Sequence, residues 1–137
     1  MIKKYKNGDA LKVDVQDEQV KEAEYNASFF DGITAYSMVN QKGDVLAVLG
    51  FRVFDEKGEC FALMGKNIGN RMIEFVRFAN KKIKVEMKKQ KVKKVFMTVK
   101  DGFIEAKRLA FMLGFSEVAK LPLFFDEKDY LLYVRKE

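Results

Sequence analysis

Apolar positions along this chain follow two periods, and their order predicts the elements. Leu11, Val13 and Val15 alternate with polar neighbours and predict a short strand. Asp17-Glu18-Gln19 opens an acidic segment reaching about Tyr25, predicted as a helix with Asp17 near its N-terminus, where free amides favour a carboxylate. Phe29-Phe30-Asp31-Gly32 reads as a loop or short turn. Ile33 to Val39, Val45 to Phe54 and Glu59 to Met64 are β-rich, and the mostly apolar second run fits a central strand. Gln41-Lys42-Gly43-Asp44 and Asp55-Glu56-Lys57-Gly58 carry the residues of hairpin turns. Gly65 to Asn70 is a glycine-containing loop into a long helix over roughly 70–90, in which Met72, Val76, Ala79 and Ile83 recur at three- or four-residue spacing. Val92 to Val99 is a further strand. Ser116 to Leu121 and Tyr130 to Val134, either side of Pro122, are two more.

The residues from 103 to 115 carry the sharpest local signal. Ala106, Leu109, Ala110 and Leu113 form one helical stripe. Gly114 fits the left-handed position after the last turn, where a Cβ is penalised, and Phe115 can fold back on the helix. The full order is β-α-β-β-β-α-β-α-β-β.

Composition narrows the picture. A length of 137 residues suits one domain over 1–137 with a single core, and 48% apolar residues with thirteen Phe argue for a packed globule. No apolar run approaches the ~18–20 residues of a membrane span, and the basic N-terminus has no apolar region behind it to make a secretory signal. One cysteine, Cys60, rules out an internal disulfide and suits a reducing cytoplasm. The absence of histidine removes His-based triads, HExxH zinc sites and His-Cys zinc fingers.

Charge is concentrated. Residues 81–94, KKIKVEMKKQKVKK, hold eight Lys and one Glu, a net +7 against +6 for the whole chain, so the remainder sums to −1. The segment reads either as the solvated end of the long helix or as a patch for nucleic acid or another polyanion. No aromatics interleave with the lysines as a base-stacking platform requires, which favours the solvated helix end.

The element order, together with Ala106, Leu109, Gly114 and Phe115 in the late helix, resembles the GNAT acyltransferase superfamily over about residues 11–135. The resemblance implies an α/β (α+β) fold: a twisted, mixed and mostly antiparallel sheet of about six or seven strands flanked by helices. It also implies acetyl-CoA as cofactor and acyl transfer to an amine that the sequence does not name. The family's CoA loop reads Gln/Arg-x-x-Gly-x-Gly/Ala. Here the register is Lys66-Asn67-Ile68-Gly69-Asn70-Arg71, following Met64, with Gly69 matched, Lys66 at the Gln/Arg position and Arg71 where a small residue is usual. Backbone amides at a helix start cradle a pyrophosphate, and Arg71 could itself pair with phosphate. In the late helix Phe103 stands at the family's Asn position. Ala110 stands where many members carry the tyrosine that protonates departing CoA, so the matched residues are structural and the chemical ones differ.

For the remaining chemistry, Glu59 is the only carboxylate on the Glu59–Met64 strand and the candidate base, with a strand-end solvated carboxylate as its plain alternative. A backbone amide of the same strand would hold the oxyanion. Cys60 reads as a small hydrophobe rather than an acyl carrier. Tyr36, Tyr130 and Tyr133 are available acids or packing residues. A catalytically silent, GNAT-shaped structural or interaction protein of the kind phages encode, in host cytoplasm or virion, is the other reading. Phe29-Phe30 and Leu123-Phe124-Phe125 would then mark a protein partner or a second copy if exposed, or cap the core if not.

Overall fold

The computed structural model describes residues 1–30 and 32–137; Asp31, part of the expected 29–32 loop, and the side chains of Ser28 and Phe29 lie outside the described residues, and Phe30, expected in that loop, instead ends a helix. The strands are β1 (Ile2–Lys4), β2 (Thr34–Val39), β3 (Val45–Phe54), β4 (Lys57–Met64), β5 (Lys94–Lys100), β6 (Ser116–Phe125) and β7 (Lys128–Lys136), and the helices are α1 (Val20–Phe30), α2 (Met72–Lys89) and α3 (Ile104–Met112). The seven strands form one sheet in the order β1-β2-β3-β4-β5-β7-β6. The β1–β2, β2–β3, β5–β7 and β6–β7 pairs are antiparallel and β4–β5 is parallel. The order of strands and helices is the expected one.

The chain divides into two compact units, Met1–Arg52 with Phe61–Phe75, and Val53–Cys60 with Val76–Glu137. In the first, seven of the ten residues of β3 are buried, as expected of a strand with neighbours on both sides. Its core joins Val13, Val15, Ala23, Phe30, Val48 and Leu63. The hairpin into β3 turns through Gly43 (φ 86°), with Asn40 Oδ1 accepting the Lys42 and Asp44 amides at 2.9 Å each.

One expected strand is absent. Residues Asp9–Lys12 form a 3₁₀ turn, Leu11 is 62% exposed, and Val15 makes only an isolated bridge to Gly65. Asp9 is the reason: its buried carboxylate accepts the Lys6 amide (3.0 Å) and the fully buried Ser37 hydroxyl (2.8 Å), which bends the chain here. The first strand is instead Ile2–Lys4, whose lysines suit an edge.

In the second unit, α3 ends as its sequence requires. Phe115 N–H donates to Ala110 O (2.9 Å) and Gly114 N–H to Phe111 O (3.0 Å), with Gly114 at φ 79°. α2 closes the same way with Lys91 (φ 57°) in the glycine position: Val92 N–H reaches Met87 O at 3.0 Å and Lys91 N–H reaches Lys88 O at 3.3 Å. Two further turns use left-handed residues without glycine, Asp55-Glu56 and Asp126-Glu127, so β4 begins at Lys57 and takes in Gly58. β6 is longer than its sequence predicts. It runs through Pro122 because it is the sheet edge, where a missing N–H breaks no ladder, and Asp129 Oδ1 accepts the Leu123 amide (3.0 Å) where the register slips.

Candidate functional site

The loop from β4 to α2 is built by backbone pairing at its start and a left-handed glycine at its middle. Gly65 N–H donates to Leu46 O (2.7 Å) and Lys66 N–H to Asp14 O (2.8 Å). Gly65 has to lack a side chain, because a Cβ there would lie 2.7 Å from Asn67 Oδ1 and 2.9 Å from Leu46 O. Lys66 Nζ also pairs with Asp17 Oδ1 at 3.2 Å. The chain then turns at Gly69 (φ 56°) into a 3₁₀ turn, Gly69–Arg71, that leads straight into α2.

The hydrogen bonds of this loop leave several of its exposed amides without a protein acceptor. Ile68 N–H donates to Gly65 O (3.3 Å) and Arg71 N–H to Ile68 O (3.1 Å). Among the described residues the amides of Asn67, Gly69 and Asn70 meet no protein acceptor. Two of them open the turn that starts an 18-residue helix, where unsatisfied N–H groups and the dipole favour an anion. Met64, the buried last residue of β4, leads into this loop.

Arg71 is largely committed elsewhere. Its Nε and Nη2 lie 3.1 and 2.9 Å from Glu74 Oε2, and Nη1 donates to Val39 O at 3.1 Å. Two of its five donors are left for a phosphate.

Sequence reasoning missed the residues that hold this loop. Asp14 and Asp17 lie 52 and 49 positions before Lys66, and no local pattern links them. It also missed Gln19, whose Nε2 donates to Ala62 O on β4 at 3.2 Å while its buried Oε1 has no partner among the described residues.

Glu59 is the third residue of β4, half-buried and opposite Phe96 in the β4–β5 register. It falls in the second unit and the loop in the first. Cys60 is fully buried, and burial pushes its thiol up to about 12 despite the opposing pull of Arg135. At pH 8 such a thiol is ~10⁻⁴ ionised, so alkylation of the native protein by iodoacetamide is expected at least a hundredfold slower than alkylation of the urea-unfolded chain. Equal rates would place the thiol at the surface.

Burial likewise raises Tyr133, with the neighbouring Glu117 charge as the next cause. Tyr130 packs against Phe124 and Phe125, with ring centroids 5.7 and 6.1 Å away. Ala110 is 0% exposed on α3, so the helix position where the resemblance expects a tyrosine is closed by core packing.

No protein-family model and no curated protein sequence matches the chain. Solved structures do. The IAA acetyltransferase from Bacillus cereus superposes with a TM-score of 0.73 at 13% identity, covering 100% of this chain and 99% of that one. The acetyltransferase (GNAT family) from Bacillus anthracis gives 0.71 at 14%, covering 98% and 93%. The fold is that of the GNAT acetyltransferases. The ribosomal-protein-S18-alanine N-acetyltransferase from Escherichia coli shares it at TM-score 0.72 and 14% identity, over 99% and 92% of the two chains. A GNAT fold alone assigns no substrate, and what this chain does has to be argued from the loop, β4 and their neighbours.

Proposed function

We propose that the chain is an acyl-CoA-dependent N-acyltransferase, moving an acetyl group from acetyl-CoA to an amine, with residues 1–137 working as one GNAT-type domain in the cytoplasm. The observation that carries this reading is the set of three unaccepted amides, Asn67, Gly69 and Asn70, at the start of α2 on a GNAT fold. In this reading they hold the CoA pyrophosphate, with Met64, Lys66, Ile68 and Arg71 framing it.

The amine nitrogen attacks the thioester carbonyl, a backbone amide of β4 holds the oxyanion, and the C–S bond then breaks. The amine proton leaves to Glu59, directly or through water. A thiol ionises near pH 8.5, so CoA can depart as thiolate, and Ala110 deprives the reaction of an acid it does not strictly need.

The test is release of CoA thiol from acetyl-CoA across a panel of polyamines, amino acids and peptide N-termini, with mass spectrometry for one added acetyl group. Expected are saturable turnover on at least one amine and a fall of 10²–10⁴ in kcat for Glu59→Gln. Saturable CoA binding without turnover would instead establish the catalytically silent reading, which the buried Ala110 favours. Absence of CoA binding would remove the proposal.

A further inference from the structure

The second half of α2 carries a feature that acyl transfer does not use. Arg77, Lys81, Lys84 and Lys88 are all exposed and recur at spacings of four, three and four. At about 100° per residue they fall within about 60° of one another, about 130° around the helix from the buried Ala79, Ile83 and Met87. The row is about 16 Å long at ~1.5 Å per residue. Lys91 and Lys93 in the turn after the helix, and Lys94 at the start of β5, are also exposed and continue the charge.

This row is uncompensated. None of Arg77, Lys81, Lys84, Lys88 or Lys91 holds an ion pair or a side-chain hydrogen bond among the described residues. The acidic side chains of α2 are occupied: Glu74 with Arg71, and Glu86, buried, with Gln90 Nε2 at 2.6 Å. A solvated helix usually places opposite charges at i and i+4, which lowers repulsion. Here like charges sit at those spacings on one rigid line, backed by core packing.

We propose that this face of α2 binds duplex nucleic acid through its phosphates, without reading sequence. The row matches a regular line of negative charge, which a duplex presents at about one per 1.7 Å of axis. Phe78, half-buried with Lys82 Nζ 5.8 Å over its ring, is not an open stacking platform beside this row for the bases of a single strand. The apolar stripe of Ala79, Ile83 and Met87 is buried, and the exposed Ile73 and Val85 stand twelve positions apart rather than forming one face for a bilayer.

The experiment is fluorescence anisotropy with a labelled mixed-sequence DNA duplex from 50 to 200 mM salt. Four phosphate contacts predict a slope of log K on log salt near −3.6 and a loss on the order of a hundredfold over that range. The triple variant Lys81→Gln/Lys84→Gln/Lys88→Gln should cut the slope by about 2.7. The charge-matched control Lys42→Gln/Lys57→Gln/Lys128→Gln, at exposed positions elsewhere, should leave it near the wild-type value. Circular dichroism melting checks that both variants fold. No binding at 50 mM salt, equal losses in the two variants, or binding only to phosphatidylserine vesicles and not to the duplex would each overturn the proposal.

Discussion

Saturating acetyl-CoA is expected to raise the melting temperature by about 10 °C. A ligand at a hundred times its Kd adds about 2.7 kcal/mol, and in a domain of this size each kcal/mol moves the midpoint by roughly 3–5 °C. CoA should do nearly as much, because the pyrophosphate is common to both, and ATP should do little. Asn70→Pro tests the amides themselves. Proline fits the first turn of a helix, where its missing N–H costs no internal bond, so the fold should tolerate it while one candidate phosphate donor disappears. One hydrogen bond to a charged group is worth about 1.5–3 kcal/mol, so affinity should fall roughly ten- to a hundredfold by calorimetry with the unliganded melting temperature little changed. A wild-type shift that survives intact in Asn70→Pro would move the anion site off this amide. No shift with either cofactor would leave the loop as a plain strand-to-helix turn.

Much of the fold was legible because its signals are local. Gly114 had to be left-handed to end a helix whose stripe stops at Leu113, and Phe115 then completes the motif through Ala110 O. The Val45–Phe54 strand declared its centrality by being apolar on both faces. What was not legible depends on distant partners. The alternation of Leu11, Val13 and Val15 fits a strand until Asp9 reaches Ser37, 28 positions away. Pro122 looks like a terminator unless the strand is known to be an edge. In the site, Gly69 was readable from the chain, whereas the carbonyls of Asp14 and Leu46 that hold the loop open, and the orphaned Gln19 Oε1, belong to tertiary structure alone. The lysine segment showed its charge in sequence, but its alignment into one unpaired row needed the helix register and the burial of Glu86.

Phe30→Ala is expected to destabilise the protein by about 3–5 kcal/mol. In sequence Phe30 reads as a loop aromatic that either meets a partner or caps the core; it closes α1 at 2% exposure, in the core. Its ring lies 5.6 Å from that of Tyr5 and 6.2 Å, edge-on, from that of Phe61. It can sit there because position 50 has no side chain: a Cβ on Gly50 would come within 2.7 Å of Phe30 Cε1 and 2.9 Å of Ile33 Cδ1. Gly50→Ala should therefore cost about 1–3 kcal/mol by overpacking. The two positions share one volume, so their effects should not add. In the Phe30→Leu background, where the ring is gone and a smaller side chain remains, Gly50→Ala should cost markedly less, with a coupling of about 1 kcal/mol or more in a double-mutant cycle from urea unfolding. Strict additivity would mean that the backbone of β3, rather than the ring, absorbs the extra methyl. Phe30 would then be an ordinary core residue instead of the one for which Gly50 makes room.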